Sequence, residues 1–364
     1  MSVSSYLGTP GSLRRRATIT GTRVTAVIVV VALVLWHFDF GEIRAAFHIT
    51  SWTFLTAAVL ANFASVAAKG VAWKGVVDGL PGMDGRSRYR DLLSPLFIGF
   101  LFNTLLAARV GEFVKVLLAR RRLQANGHPR VQGVSLLGTV VVENLVSTVS
   151  WVVLVIGIGL VMPLPRYAWI ASLSLGIACL AVILLAMVSS RRINPLPPWL
   201  RSGNLWARLR RATERLWQAV RESHIALRTP HLLSTVAAAS LASWLAQWAG
   251  IFFTLEAFGL NVGWGGAGLL LVTVTLAQAF PLLPGNLVMF QTAAVLPLTA
   301  TYGVSATDAI AFSIVLQGTE AVVGVAVGFL FLLHEGAGFG QLRRDAAVEE
   351  EQLAQQTART PGAA

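Results

Sequence analysis

The sequence predicts an all-α polytopic membrane protein, with about six full spans and two re-entrant or broken helical hairpins arranged as an inverted repeat. Three observations carry this prediction. The 364 residues are 55% hydrophobic and only 13% charged, with a mean hydropathy of +0.67, which is too apolar for a soluble domain of this length. The cations gather in blocks between the apolar runs, and two apolar stretches are broken by polar or proline-rich turns.

Taken in order, residues 1–23 form a cytoplasmic N-terminal segment. Its Arg14, Arg15 and Arg16 stand ahead of the first apolar run, Val24 to Phe38, as in a signal anchor. Trp52 to Ala68, Val140 to Val161, Ala168 to Val188, Leu232 to Phe253 and Ile310 to Leu333 supply further spans, each long enough with its flanks to cross a layer of about 30 Å. Lys69, Lys74, Arg86, Arg88 and Arg90 follow the second run, Arg120, Arg121, Arg122 and Arg130 come next, and further groups run from Arg191 to Arg228 and from Arg343 to Arg359. Cytoplasmic loops carry the Lys/Arg excess, so these blocks mark one side and leave Arg44 and Arg166 on the other. Both termini are then cytoplasmic, in a multi-pass protein of the cell membrane.

Arg90 and Arg120 fall on the same side, yet only about 27 apolar residues separate them, too few for two crossings of about 20 each. The stretch must dip in and return, turning near Asn103 to Gly111, since non-helical backbone at membrane depth is tolerated where it lines a cavity. The stretch from Trp264 to Thr301 is broken in the same way by Pro281, Pro284 and Gly285 and enters from outside. The order becomes span, span, inner hairpin, span, then span, span, outer hairpin, span. Three crossings per half invert the second half, giving half-repeats of about 24–161 and 168–335 within a transmembrane domain at 24–335. At one fixed offset Leu105, Leu106, Phe113 and Glu143 meet Leu282, Leu283, Phe290 and Glu320, hairpin on hairpin and intramembrane Glu on intramembrane Glu.

Within the spans, Ser135, Thr139, Glu143 and Ser147 share one helix face, as do Ser240, Ser243, Gln247, Gly250 and Thr254. Such stripes belong inside the bundle. Gly324 and Gly328 make a GxxxG of the kind that packs helices closely. Between 203 and 228, Trp206, Leu209, Leu216, Val220 and Leu227 alternate with Arg208, Arg211 and Arg215, the pattern of a basic amphipathic helix at the cytoplasmic headgroup level. Residues 336–364, with Glu349 to Glu351, read as a disordered cytoplasmic tail.

Several function classes are disfavoured. The net charge of +12 follows the membrane surface and not a nucleic acid. Cys179 stands alone and the six histidines are scattered, so neither a disulfide framework, a metal site nor a cofactor is expected. Arg109, Glu112 and Lys115 instead lie inside an apolar stretch, where a charge costs roughly 2.5–3.5 kcal/mol even on lenient scales and must face protein or a wet cavity. They mark a candidate site.

The run NTLLAARVGEFVKVLLARR resembles the N-x-L-L-P-A-R-x-G-E signature of the lysylphosphatidylglycerol synthase transmembrane-region family, a flippase-like membrane domain, through Asn103, Leu105, Leu106, Ala108, Arg109, Gly111 and Glu112. Glu143 falls on that family's E-R-x-x-D pattern. Pro284, Gly285 and Leu287 match its P-G-G-L-G-x-x-E segment. Ala107 replaces the motif's proline, Asn144 its arginine, Ser147 its aspartate, Asn286 and Val288 two glycines, and Gln291 its glutamate, while Gln317 stands where the last span carries an arginine.

The resemblance implies translocation of a polar-headed (glyco)phospholipid or polyprenyl-linked lipid between leaflets, by a stand-alone membrane domain without the aminoacyl-transferase domain. On that reading Arg109 binds the lipid phosphate through bidentate bonds. Glu112 and Glu143 orient Arg109 or bind a headgroup cation or proton, and Asn103, Asn286 and Gln291 bond the headgroup. Glu320 is a second intramembrane carboxylate that could carry a proton, and Gly111, Pro284 and Gly285 form the hairpin turns. The expected partners are membrane lipids with an anionic headgroup. Two other classes compete. A lipid-linked glycosyltransferase needs catalytic carboxylates in a sizeable external loop, whereas Asp39 to Ser51 holds only Asp39 and Glu42, so no enzyme is expected. The third class is a non-transporting partner subunit of a lipid- or envelope-modifying enzyme.

Overall fold

The computed structural model describes residues 49–81, 83, 85–105, 110–162, 166–188, 220, 223, 229–278 and 287–334. The first expected span, most of the 203–228 stretch, the tail and both hairpin turns lie outside the described residues. Within them the chain is helical without strands, because backbone groups at membrane depth must be satisfied internally. The helices are α1 (Trp52–Val77), α2 (Tyr89–Leu105), α3 (Val110–Ala125), α4 (Gly133–Val161), α5 (Arg166–Val188), α6 (Pro230–Ala257), α7 (Gly263–Gln278), α8 (Leu287–Tyr302), α9 (Ala306–Val322) and α10 (Gly328–His334). A π-helical turn at Val323–Val327 joins α9 to α10 into one rod.

Four described segments are long and apolar enough to cross a membrane: Trp52–Val77, Gly133–Leu160, Pro230–Ala257 and Ala306–His334. Between the first two stands the α2/α3 hairpin, and between the last two the α7/α8 hairpin, each a pair of shorter helices packed arm on arm. In α3, Val110 to Ala119 rises about 15 Å before Arg120 reaches the cation-rich side, half of a ~30 Å hydrocarbon layer. The expected second span ends at Ala68, but α1 continues to Val77 and takes Lys69 and Lys74 into the helix. The helix can carry them because each finds a carboxylate: Glu143 for Lys69 and Asp78 for Lys74.

An inverted second half requires α1 and α6 to run antiparallel, and these two make the most extensive contact among the described helices. Thr50 N–H donates to Ala257 O at the start of α1, Asn62 lies beside Gly250, Ser65 Oγ meets Ser243 Oγ at 3.1 Å, and Gly75 faces Val236. Rising numbers on one helix meet falling numbers on the other, so the second spans of the two halves run antiparallel. The remaining contacts follow the same symmetry. Helix α1 packs on α4 as α6 packs on α9, while α6 crosses to α4 as α1 crosses to α9. Those crossings are tied by Trp244 Nε1 donating to Ser147 O at 2.9 Å and by Asn62 Nδ2 donating to Thr319 Oγ1 at 3.3 Å.

Each hairpin leans on the other half. The GxxxG of the last span faces α2: a Cβ on Gly328 would meet Phe97 O at 2.5 Å, and Gly324 lies against Phe100. In the counterpart contact, Gly268 of α7 lies against Ile158 of α4. The two polar stripes point into the bundle as expected, with Thr139 accepting from Trp73 Nε1 at 2.9 Å and Ser240, Ser243 and Thr254 buried. From the 203–228 stretch, Val220 is buried in a cluster with Ala72, Val76 and Val236, and Ser223 Oγ donates to Ser135 O at 3.3 Å.

This topology yields a first prediction. In a Cys179→Ala background, cysteines at 90 and 120 should label from one membrane face and cysteines at 263 and 302 from the other. Labelling of 90 and 120 from opposite faces would replace the inner hairpin by a full crossing.

Candidate functional site

Two polar clusters lie beside the turns of the hairpins, at matching places in the two halves. The inner cluster draws on four helices. Glu112 sits in the first turn of α3, where the unpaired N–H groups and the helix dipole favour a negative charge. It accepts from Asn103 Nδ2 of α2 at 3.2 Å and pairs with Lys115 Nζ at 3.5 Å. Lys115 is only 3% exposed, and its ammonium lies 4.1 Å from the centre of the Trp73 ring, a cation–π contact that offsets part of its desolvation. From α1, Lys69 Nζ approaches Glu143 of α4 at 4.0 Å, bonds Asn144 Oδ1 at 3.5 Å and acts electrostatically on Glu112 as well. Glu143 is fully buried, and neither of its carboxylate oxygens has a hydrogen-bond partner. Among the described residues the cluster thus joins two lysines to two glutamates.

Close backbone approach makes this arrangement possible. Gly111, one residue into α3, lies so near α2 that a Cβ there would meet Gly99 O at 1.9 Å and Asn103 Oδ1 at 2.6 Å. Gly99 in turn leaves room for the Lys115 stem, 2.9 Å from where its own Cβ would be. The pair lets the hairpin arms touch and sets Asn103 beside Glu112.

The outer cluster repeats the arrangement with amides in place of charges. Gln247 of α6 donates from Nε2 to Glu320 Oε1 of α9 at 3.4 Å, as Lys69 faces Glu143 in the first half. Gln291 of α8 donates from Nε2 to Gln317 Oε1 of α9 at 2.7 Å. Gln291 and Gln317 are the positions at which the resemblance described above would place a glutamate and an arginine.

Of the residues expected to form the site, the structure groups Asn103 with Glu112, places Glu143 against Lys69 in the same inner cluster, and places Gln291 and Glu320 in the outer one. Glu143 and Glu320 do not meet. Arg109, Asn286, Pro284 and Gly285 lie outside the described residues, and Gly111 stands just past the inner turn. Among the described residues the cations that face Glu112 and Glu143 are Lys115 and Lys69. Lys69 and Gln247 are the functional candidates that the sequence reading leaves unassigned. The signal for Lys69 is its spacing: it stands one turn beyond Ser65, on the face that meets α6.

A multi-pass helical membrane protein, built as an inverted repeat with two hairpins and a polar cluster beside the turn of each, is the class these features define. The lysylphosphatidylglycerol synthase TM region family matches the chain over residues 19–328, and the chain belongs to that family. Membership makes it a membrane protein related to lipid modification or flipping. No curated protein and no solved structure matches the chain.

Proposed function

We propose that this chain is a flippase-like protein that moves a polar-headed (glyco)phospholipid or polyprenyl-linked lipid between the leaflets of the cell membrane, with both its termini in the cytoplasm and without catalysing a reaction. One observation carries the reading: beside the turns of two hairpins, one in each half, polar and charged side chains of the hairpins and the adjoining spans gather within an otherwise apolar bundle. A translocated headgroup must be kept from hydrocarbon while its acyl chains remain in lipid, and polar groups at the repeat interface supply that shelter. The two lysines and Arg109 are cations for an anionic headgroup, with Arg109 as the bidentate phosphate ligand. Glu112 and Glu143 hold the cations in place between cycles. Asn103 and Asn286 bond the headgroup beside them.

Purified protein in liposomes containing fluorescent phospholipids tests this directly, by the fraction of label that becomes accessible to an external quencher. Label should cross faster than in empty liposomes, and Arg109→Ala should abolish the gain. Wild-type rates in that variant would refute the role of Arg109. Absence of any transport, with stable co-purification of a lipid-modifying enzyme, would favour the partner-subunit alternative.

A further inference from the structure

The outer cluster differs from the inner one in a way that specifies a ligand. Gln247, Gln291, Gln317 and Glu320 come from three helices and form one strip, because Gln317 and Glu320 stand one turn apart on α9 and each bonds a neighbouring helix. Gln278, at the tip of α7, also bonds Glu320. All five side chains are half-buried, neither sealed nor fully exposed. No lysine or arginine occurs in α6, α7, α8 or α9, so these helices bring an anion no cation. Gln291 Oε1 is buried with no hydrogen-bond partner, a costly omission that a donor from a bound molecule would repair.

We propose that this cluster is the binding site for an uncharged, hydroxyl-bearing headgroup, a glycosyl or polyol unit, on the lipid whose movement is proposed above; the inference rests on that reading. Each primary amide offers two donors and an acceptor oxygen, and each hydroxyl one donor and two lone pairs. Adjacent hydroxyls on a sugar can therefore donate to Gln291 Oε1 and Glu320 while accepting from the amide nitrogens. The inner cluster, with Lys69 and Lys115, takes the anionic part of the same lipid. The two halves of the repeat thereby divide one headgroup between them.

Native mass spectrometry of the full-length protein, offered equal amounts of glucosyl diacylglycerol, phosphatidylethanolamine and plain diacylglycerol of matched chains, tests the assignment. The glucosyl lipid should be retained over the others by at least about tenfold, since a site built to bond a hydroxyl discriminates against analogues that lack it. Gln291→Met should lose that preference while keeping its melting temperature. If Gln291→Met fails to fold, Gln291→Glu combined with Gln317→Arg, an ion pair in the same place, should lose the preference equally. Equal retention of the three lipids, a preference that survives in these variants, or binding of free glucose with no preference among lipids would each overturn the proposal. A glucosyl preference in a protein that moves no lipid retires the transport reading and leaves this site standing. Transport without headgroup preference does the reverse.

Discussion

Replacing Lys69 with methionine should destabilise the protein far more than removing a surface cation does. Glu143 is fully buried without a hydrogen bond, and Lys69 is its cation at 4.0 Å. Stripping one partner from a buried pair typically costs about 3–5 kcal/mol, because the other charge is left uncompensated, whereas exchanging both for apolar residues is often neutral. Lys69→Met should therefore lower the melting temperature in detergent sharply, and Lys69→Met combined with Glu143→Met should recover most of the loss. Additive losses in the double variant would show that the two side chains do not act as a pair. The recovered double variant should still fail to move lipid if the pair also serves the headgroup.

Gly111→Ala should be the most damaging small substitution in the inner hairpin. Its Cβ would stand 1.9 Å from Gly99 O, a backbone atom that no rotamer change can withdraw. Overpacking usually costs about 1–3 kcal/mol, and more where the obstacle cannot move. The arms would have to part, carrying Asn103 away from Glu112. Gly99→Ala meets Gly111 O and the Lys115 stem at about 3 Å, so it should be the milder of the two. Yield of folded protein and protease sensitivity of the hairpin would rank the variants, and an equal or reversed order would contradict the close approach.

The hairpins are legible in the sequence because polar and proline-rich turns interrupt their apolar stretches, and because Arg90 and Arg120 must share a side. The polar stripes through Glu143 and Gln247 are legible for a related reason: a helix in lipid has no cause to carry polar groups except toward protein. The extent of α1 is not legible. Charge in a loop and charge in a helix look alike until Glu143 and Asp78, one of them far along the chain, prove to lie opposite Lys69 and Lys74. For the same reason the cations beside Glu112 and Glu143 cannot be chosen by proximity in sequence. Nor does the GxxxG of the last span reveal its partner, because all its neighbours are equally apolar and only shape selects α2. The antiparallel match of α1 with α6 rests on small residues such as Ser65, Ser243 and Gly250, which hydropathy does not register.

The seating of α2 on Gly324 and Gly328 also bears on how the molecule is made. The inner hairpin is synthesised early, yet the surface that receives it belongs to the α9–α10 rod, which leaves the ribosome much later. Such a long-range contact forms late, and until it does the outer face of α2 stands without its partner. A nascent chain arrested before residue 306 should therefore hold its hairpin open to membrane chaperones and proteases, and quality control of this protein becomes a question of when the α9–α10 rod arrives.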